Sequence, residues 1–165
     1  MTGLWPVVTV VIGVDPGGRM TGTVIRRGDE LLDFAVLERA DGEPVDVFAR
    51  RVVAHTDQWV TEIVGGVPVV AVEDVVAPSG FRDGRRQFAR PDSLITTSIV
   101  LGALIGGCLI PPILVRPNRN GDGPLQAYPK ALVGAREKAG TGRLSHARSA
   151  WDIAAAGLSM SRGLR

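Results

Sequence analysis

A run of apolar, largely β-branched residues from Val7 to Val14 ends abruptly in Asp15 and Pro16-Gly17-Gly18. Such a run reads as a strand buried on both faces, and so central in its sheet. A carboxylate at the end of a central strand is costly to desolvate unless a cation or hydrogen-bond donors satisfy it. Pro16 fixes φ, the two glycines permit a tight reversal, and Met20-Thr-Gly-Thr-Val-Ile resumes a strand pattern. The stretch predicts an antiparallel hairpin with Asp15 at its tip, where a metal or phosphate site has room. The competing reading is a Pro-Gly turn whose Asp makes only local backbone hydrogen bonds.

Strands over 7–14, 20–26 and 31–37 form a meander joined by Pro-Gly-Gly and Arg27-Gly-Asp turns. Pro44–Val64 carries Val45, Phe48, Val52, Val53, Trp59, Val60 and Ile63 at mostly helical spacing, and Gly65-Gly66 ends it. Val67-Pro-Val-Val-Ala-Val returns as a strand over 67–72, which a right-handed crossover sets parallel to strand 7–14 and beside it. The uncharged stretch Ser93–Val115 is broken by Gly106-Gly107 and Pro111-Pro112. It divides into a helix over 92–105 and a buried strand over 108–115, each short of the roughly 20 continuous apolar residues that a membrane span needs. Residues 116–143, rich in proline and glycine, read as loop with one short helix near Lys130–Lys138, and Ser145 stands as N-cap of a closing helix. The order predicts a mixed α/β sheet of five strands, a meander followed by parallel strands, flanked by helices in a single domain over 1–165.

A hydrophobic content of 45% with ordinary charge density argues against disorder. The single cysteine, Cys108, excludes an internal disulfide and suits a reducing cytosol, and no secretory signal is apparent, so a cytoplasmic protein is expected. The net charge of +2 conceals an asymmetry: residues 1–78 carry 6 basic and 12 acidic groups, residues 79–143 carry 10 and 4. Most of the basic groups in that middle part are arginine, which suits bidentate phosphate contact, although an ordinary solvated surface has the same look.

Val69-Val-Ala-Val-Glu73 puts a second acid at a strand end. With its strand parallel to 7–14, Glu73 emerges at the same sheet edge as Asp15, where open α/β sheets bind ligands. A third acid, Asp152, is flanked by Ala150, Trp151, Ile153 and Ala154 in the closing helix and must face either water or a polar site. Three converging carboxylates would repel and raise one another's pKa values, a conflict that divalent metal removes. Hard oxygen ligands favour Mg²⁺ or Mn²⁺ over zinc. Two such ions about 3.5–4 Å apart suit phosphodiester hydrolysis. Taken singly, Glu73 reads equally as a strand-end surface acid and Asp152 as a solvent-facing helix residue.

Val-Ile-Gly-Val-Asp15-Pro-Gly-Gly-Arg-Met-Thr-Gly, Val-Glu73-Asp-Val-Val and Asp152-Ile-Ala-Ala-Ala together resemble the RuvC-type Holliday-junction resolvases of bacteria and their phages, members of the ribonuclease H-like superfamily. The resemblance runs the length of the chain in order and spacing, and its first motif is the specific one. It implies a homodimeric, Mg²⁺-dependent endonuclease that cuts symmetric strands of a four-way junction, leaving 5′-phosphate and 3′-hydroxyl ends, with a branch-migration helicase as a possible partner. It also implies a fourth metal ligand, Asp or His, three residues before the last acid, where this chain has Ser149. His146 stands three residues earlier still, about 120° around the helix from Asp152. Either His146 takes the role, water fills it, or the enzyme is weak; a surface histidine in the capping turn is the plain alternative.

The loop Pro78–Arg90 follows Glu73 and offers Arg82, Arg85, Arg86 and Arg90 for phosphates, with Phe81 or Phe88 able to stack on an unpaired base or to anchor in the core. Phe88 reads as an anchor and Phe81 is left open. Arg116 and Arg119 extend the track along duplex DNA, with Lys130, Arg136, Lys138 and Arg143 as looser members. Helix 92–105, uncharged after Asp92 and carrying Gly102 with Gly106 just past its end, is the candidate dimer surface. His55 reads as a helix-surface residue without a role, and Trp5, Trp59 and Trp151 as core. A branched-DNA-binding module that cleaves poorly or not at all is the second expectation. An actin-like or sugar-kinase-like phosphate site is disfavoured because a second glycine-rich phosphate loop is lacking.

Overall fold

The apolar run forms β1 (Val10–Asp15), the middle strand of a five-stranded sheet, in a computed structural model that describes residues 9–63, 66–76, 81–82, 85–86 and 91–163. β2 (Met20–Arg27) pairs antiparallel with β1, setting Gly22 opposite Asp15, and β3 (Glu30–Glu38) pairs antiparallel with β2. After α1 (Val45–Glu62), β4 (Val69–Glu73) lies parallel to β1 with Val72 opposite Val14. Then come the two-residue strands β5 (Phe81–Arg82) and β6 (Arg85–Arg86), paired with each other, then α2 (Pro91–Gly107) and β7 (Ile113–Val115), parallel to β4. α3 (Ser145–Gly163) closes the chain. The order β3-β2-β1-β4-β7 is the mixed sheet the sequence predicts.

Two expectations change for physical reasons. The strand expected over 108–115 shrinks to Ile113–Val115, because Pro111 and Pro112 have no N–H for the ladder and the Leu109 N–H is already given to Asp57 Oδ1 at 2.9 Å. The short helix expected near Lys130–Lys138 is replaced by 3₁₀ turns at Leu125–Ala127 and Lys130–Leu132, each entered through a proline. The Glu137 carboxylate holds the rest of that loop by accepting from the N–H groups of Gly134 and Leu144 and from the guanidinium of Arg148. Arg148 is fully buried and also donates to the carbonyls of Leu132 and Thr141.

Alternation along the strands sorts side chains onto two faces. Ile12, Val14, Val70 and Val72 pack with Phe48, Val52, Val100 and Leu104 of α1 and α2. Val11 and Ala71 face α3, packing with Ile153 and Ala154. Asp15 and Glu73 share the parity of Val11 and Ala71, so both acids stand on the α3 side of the sheet. Fully buried side chains such as Phe48 and Ile12 contribute about 1.5–3 kcal/mol each by burial.

α3 lies unusually near the sheet because glycines face it. A Cβ on Gly13 would strike the Ala150 carbonyl oxygen, one on Gly22 the His146 carbonyl, and one on Gly157 the Ala71 Cβ. The hairpin tip is seated in the same way: a Cβ on Gly18 would meet Thr96 of α2, and the Gly18 N–H donates to Thr97 Oγ1 at 3.3 Å. Gly13→Ala is expected to cost about 3 kcal/mol, the upper end for overpacking a tight contact, because the obstacle is helix backbone rather than a movable side chain. Urea denaturation of the purified variant measures it, and a loss under about 0.5 kcal/mol would contradict this account of the seating.

Candidate active site

Parallel pairing of β1 and β4 puts Asp15 and Glu73 at neighbouring strand ends, and strands so paired run about 4.8 Å apart. Glu73 is half-buried, and its pKa is pushed up to about 7, first by burial and then by the charge of Asp15, with a hydrogen bond from Asn120 pulling the other way. That bond runs from Asn120 Nδ2 to Glu73 Oε1 at 2.6 Å. The first turn of α3, lying flat on Gly22, delivers His146, whose Nδ1 is 3.0 Å from Asp15 Oδ2. The hydrogen bond to Asp15 raises the His146 pKa above its ordinary value despite partial burial.

Asp152 is held differently. Its Oδ2 accepts from the Gly121 N–H and from the Tyr128 hydroxyl, both at 2.8 Å. Burial, joined by Asp152, pushes the Tyr128 hydroxyl up to about 12, so it serves as a donor at neutral pH. Of the three acids expected to converge, the structure brings Asp15 and Glu73 within mutual electrostatic reach and ties Asp152 to the loop. Among the described residues, no three His, Cys, Asp or Glu side chains stand close enough to hold one metal ion between them. The donors still suit a hard divalent cation at the Asp15–Glu73 pair: two carboxylates, with Glu73 in a setting where a positive charge would favour its ionised form.

Ser149 is buried under the Asn120-Gly121 turn, and a Cβ on Gly121 would come within 2.9 Å of the Ser149 backbone nitrogen. His146, one turn earlier, reaches Asp15 despite its offset of about 120° around the helix from Asp152. Trp151 packs into the core with the Arg26 guanidinium 3.8 Å over its ring, as a core tryptophan should. His55 departs from expectation: it is half-buried, its Nε2 lies 3.2 Å from Thr23 Oγ1 and its ring packs 4.3 Å from that of Trp59.

Around the site, Arg116 and Arg119 are exposed, with Arg119 at 3.7 Å from Asp122. Lys130, Arg136 and Lys138 are exposed on the following loop, and Arg143 donates to the Val36 carbonyl at 3.3 Å. Within the Pro78–Arg90 segment the described residues Phe81–Arg82 and Arg85–Arg86 pair as short antiparallel strands. The side chains of Phe81, Arg82, Arg85 and Arg86, and all of Trp5, Phe88 and Arg90, lie outside the described residues. Sequence reasoning missed Asn120, Gly121 and Tyr128. The available signals were an Asn-Gly turn dipeptide and the sequence's only tyrosine inside a proline- and glycine-rich loop.

Three antiparallel strands continued by two parallel ones, with helices on both faces, define a ribonuclease H-like fold. T. thermophilus RuvC in complex with a Holliday junction substrate has this fold: the TM-score is 0.61 with 18% identity, covering 94% of this chain and 96% of that one. A second Thermus thermophilus RuvC structure gives a TM-score of 0.56 and 19% identity at the same coverage. No protein-family model matches the sequence, and no curated protein matches it. The chain therefore has the RuvC fold. Among the described residues, no helix is long and apolar enough to cross a membrane.

The raised Glu73 pKa fixes a pH dependence. A group with a folded pKa of about 7 against an ordinary 4.5 stabilises the metal-free fold fully below pH 4.5 and loses that contribution as pH rises through about 7. The difference in urea midpoint between wild type and Glu73→Gln should change across that window. A difference that stays flat from pH 4 to 8 would show that Glu73 titrates normally.

Proposed function

We propose that this protein is a divalent-metal-dependent endonuclease that cuts four-way or otherwise branched DNA. The observation that carries the reading is the pair Asp15 and Glu73 at adjacent strand ends on the α3 face of a RuvC fold, with His146 hydrogen-bonded to Asp15. The solved RuvC with that fold is described in complex with a Holliday junction substrate, which supports branched DNA as the substrate class here. In this reading Asp15, Glu73 and Asp152 hold Mg²⁺ or Mn²⁺, two ions per site. His146, with Nδ1 on Asp15, keeps Nε2 for the fourth-ligand role, for which the Ser149 hydroxyl is a poor metal ligand. The ions, when bound, polarise the scissile phosphate and stabilise the charge that builds on it. Arg116 and Arg119, with Arg82, Arg85, Arg86, Arg90 and Phe81 of the Pro78–Arg90 segment, orient the phosphate backbone and the junction centre.

A homodimer follows from the same reading. Ile95, Ile99, Gly102 and Gly106 share one exposed face of α2, and both glycines have open space where a Cβ would point. The face borders a groove of about 490 Å³ between α1 and α2. A second copy laid against that face would put two nuclease sites on one particle, as symmetric cleavage requires. The protein acts in the cytoplasm, bacterial or of a phage-infected host, with a branch-migration helicase as a candidate supplier of substrate.

The binding-only alternative is favoured by one observation, the engagement of Asp152 by Tyr128 and Gly121 away from the other acids. Incubation with a labelled four-way junction and matched duplex in Mg²⁺, Mn²⁺ or chelator separates the readings. Paired metal-dependent nicks in the junction alone are expected, and tight binding without a cut under either metal would favour the binding module. Asp15→Asn is expected to lower cleavage at least about 100-fold while leaving junction affinity within about twofold, since it removes a ligand without touching the arginines. Full activity in that variant would remove the assignment. Ile99→Glu is expected to shift the protein from dimer to monomer at micromolar concentration in analytical ultracentrifugation, and a wild type already monomeric there would end the dimer proposal.

A further inference from the structure

We infer that Asn120 and Tyr128 are positioning residues for the proposed metal site, setting the orientation of Glu73 and Asp152 before any ion arrives. The inference rests on the metal-dependent reading above and adds residues that it does not contain. Its basis is a pattern common to all three acids. Protein donors engage one oxygen of each: Asp15 Oδ2 by His146, Glu73 Oε1 by Asn120, and Asp152 Oδ2 by Gly121 and Tyr128. Among the described residues, no hydrogen bond reaches Asp15 Oδ1, Glu73 Oε2 or Asp152 Oδ1. Each carboxylate is thus fixed through one oxygen and keeps the other for a cation, which is how outer hydrogen bonds orient metal ligands.

The two loop donors are themselves rigidly placed. Arg119 and Gly121 both have left-handed backbone, at φ 53° and 82°, and the Asp122 N–H closes the turn onto the Arg119 carbonyl at 3.1 Å. Gly121 is pressed onto α3 at Ser145 and Ser149, where no side chain fits. Adjacent residues of one turn therefore grip Glu73 on β4 and Asp152 on α3, and the turn sets the spacing between the acids. Tyr128 closes the arrangement: its hydroxyl donates to Asp152 and accepts the Gly123 N–H at 3.0 Å, while its ring is buried with Leu132, Ala147 and Trp151. A residue that only packed the loop would not direct its one polar atom at an acid of the site.

The test is Mn²⁺ titration of the full-length protein, followed by electron paramagnetic resonance, for wild type, Asn120→Ala, Tyr128→Phe and Asp15→Asn, with melting temperatures measured alongside. The expected result is Mn²⁺ binding weakened about tenfold in Asn120→Ala and in Tyr128→Phe, with the spectrum of bound Mn²⁺ altered and, for Tyr128→Phe, the melting temperature little changed. Tyr128→Phe keeps the buried ring and decides the question even if Asn120→Ala does not fold. Wild-type affinity in the folded variants, with or without a lower melting temperature, would overturn the inference, as would tighter binding, which would make the loop a restraint on the acids. Failure of the underlying reading looks different: wild type binds no Mn²⁺, or Asp15→Asn binds it as well as wild type does.

Discussion

Everything at the candidate site depends on how closely α3 lies on β1 and β2. Gly13 and Gly22 leave no Cβ between strand and helix, so the carbonyls of Ala150 and His146 come down onto the sheet backbone. An alanine at either position would lift the helix and carry His146 away from Asp15. The same seating turns Trp151 under Arg26 and presents Asp152 to the loop. The helix is held by shape and by small side chains, and because the fit admits little movement, the polar groups it carries arrive in fixed places.

The site is a balance between burial and charge. Two acids on adjacent strand ends repel, and partial burial makes the ionised form of Glu73 costly, so Glu73 shares its environment with a proton near neutral pH. Asn120 and His146 each relieve part of that tension, one on Glu73 and one on Asp15. Asp152 is held through one oxygen by its two donors in the loop. A cation entering between Asp15 and Glu73 would compete with a proton, which makes binding there sensitive to pH.

Much of this was legible beforehand. The β-branched run ending in Asp15 announced a central strand with an acid at its tip, and the crossover to Val69–Glu73 announced a second acid beside it, because alternation and handedness leave few other arrangements. The loop from Arg116 to Leu144 was not legible. Its hydrogen bonds run from Asn120 to β4, from Gly121 and Tyr128 to α3, and from Arg148 back to Glu137, and none of these pairings has a periodicity that sequence displays. Ser149 illustrates the gap: its position in the motif suggests a weak ligand, while the structure buries it with its backbone against Gly121.

The sequence by itself determined the order of strands, the two acids at one sheet edge and the uncharged face of α2, because these follow from local pattern and from rules of chain connection. Only the tertiary structure decided that His146 rather than Ser149 meets Asp15, that Asp152 is tied to Tyr128, and that Asn120 caps Glu73. Those outcomes turn on ångström-scale clearances between segments far apart in the chain, which depend on every side chain packed between them.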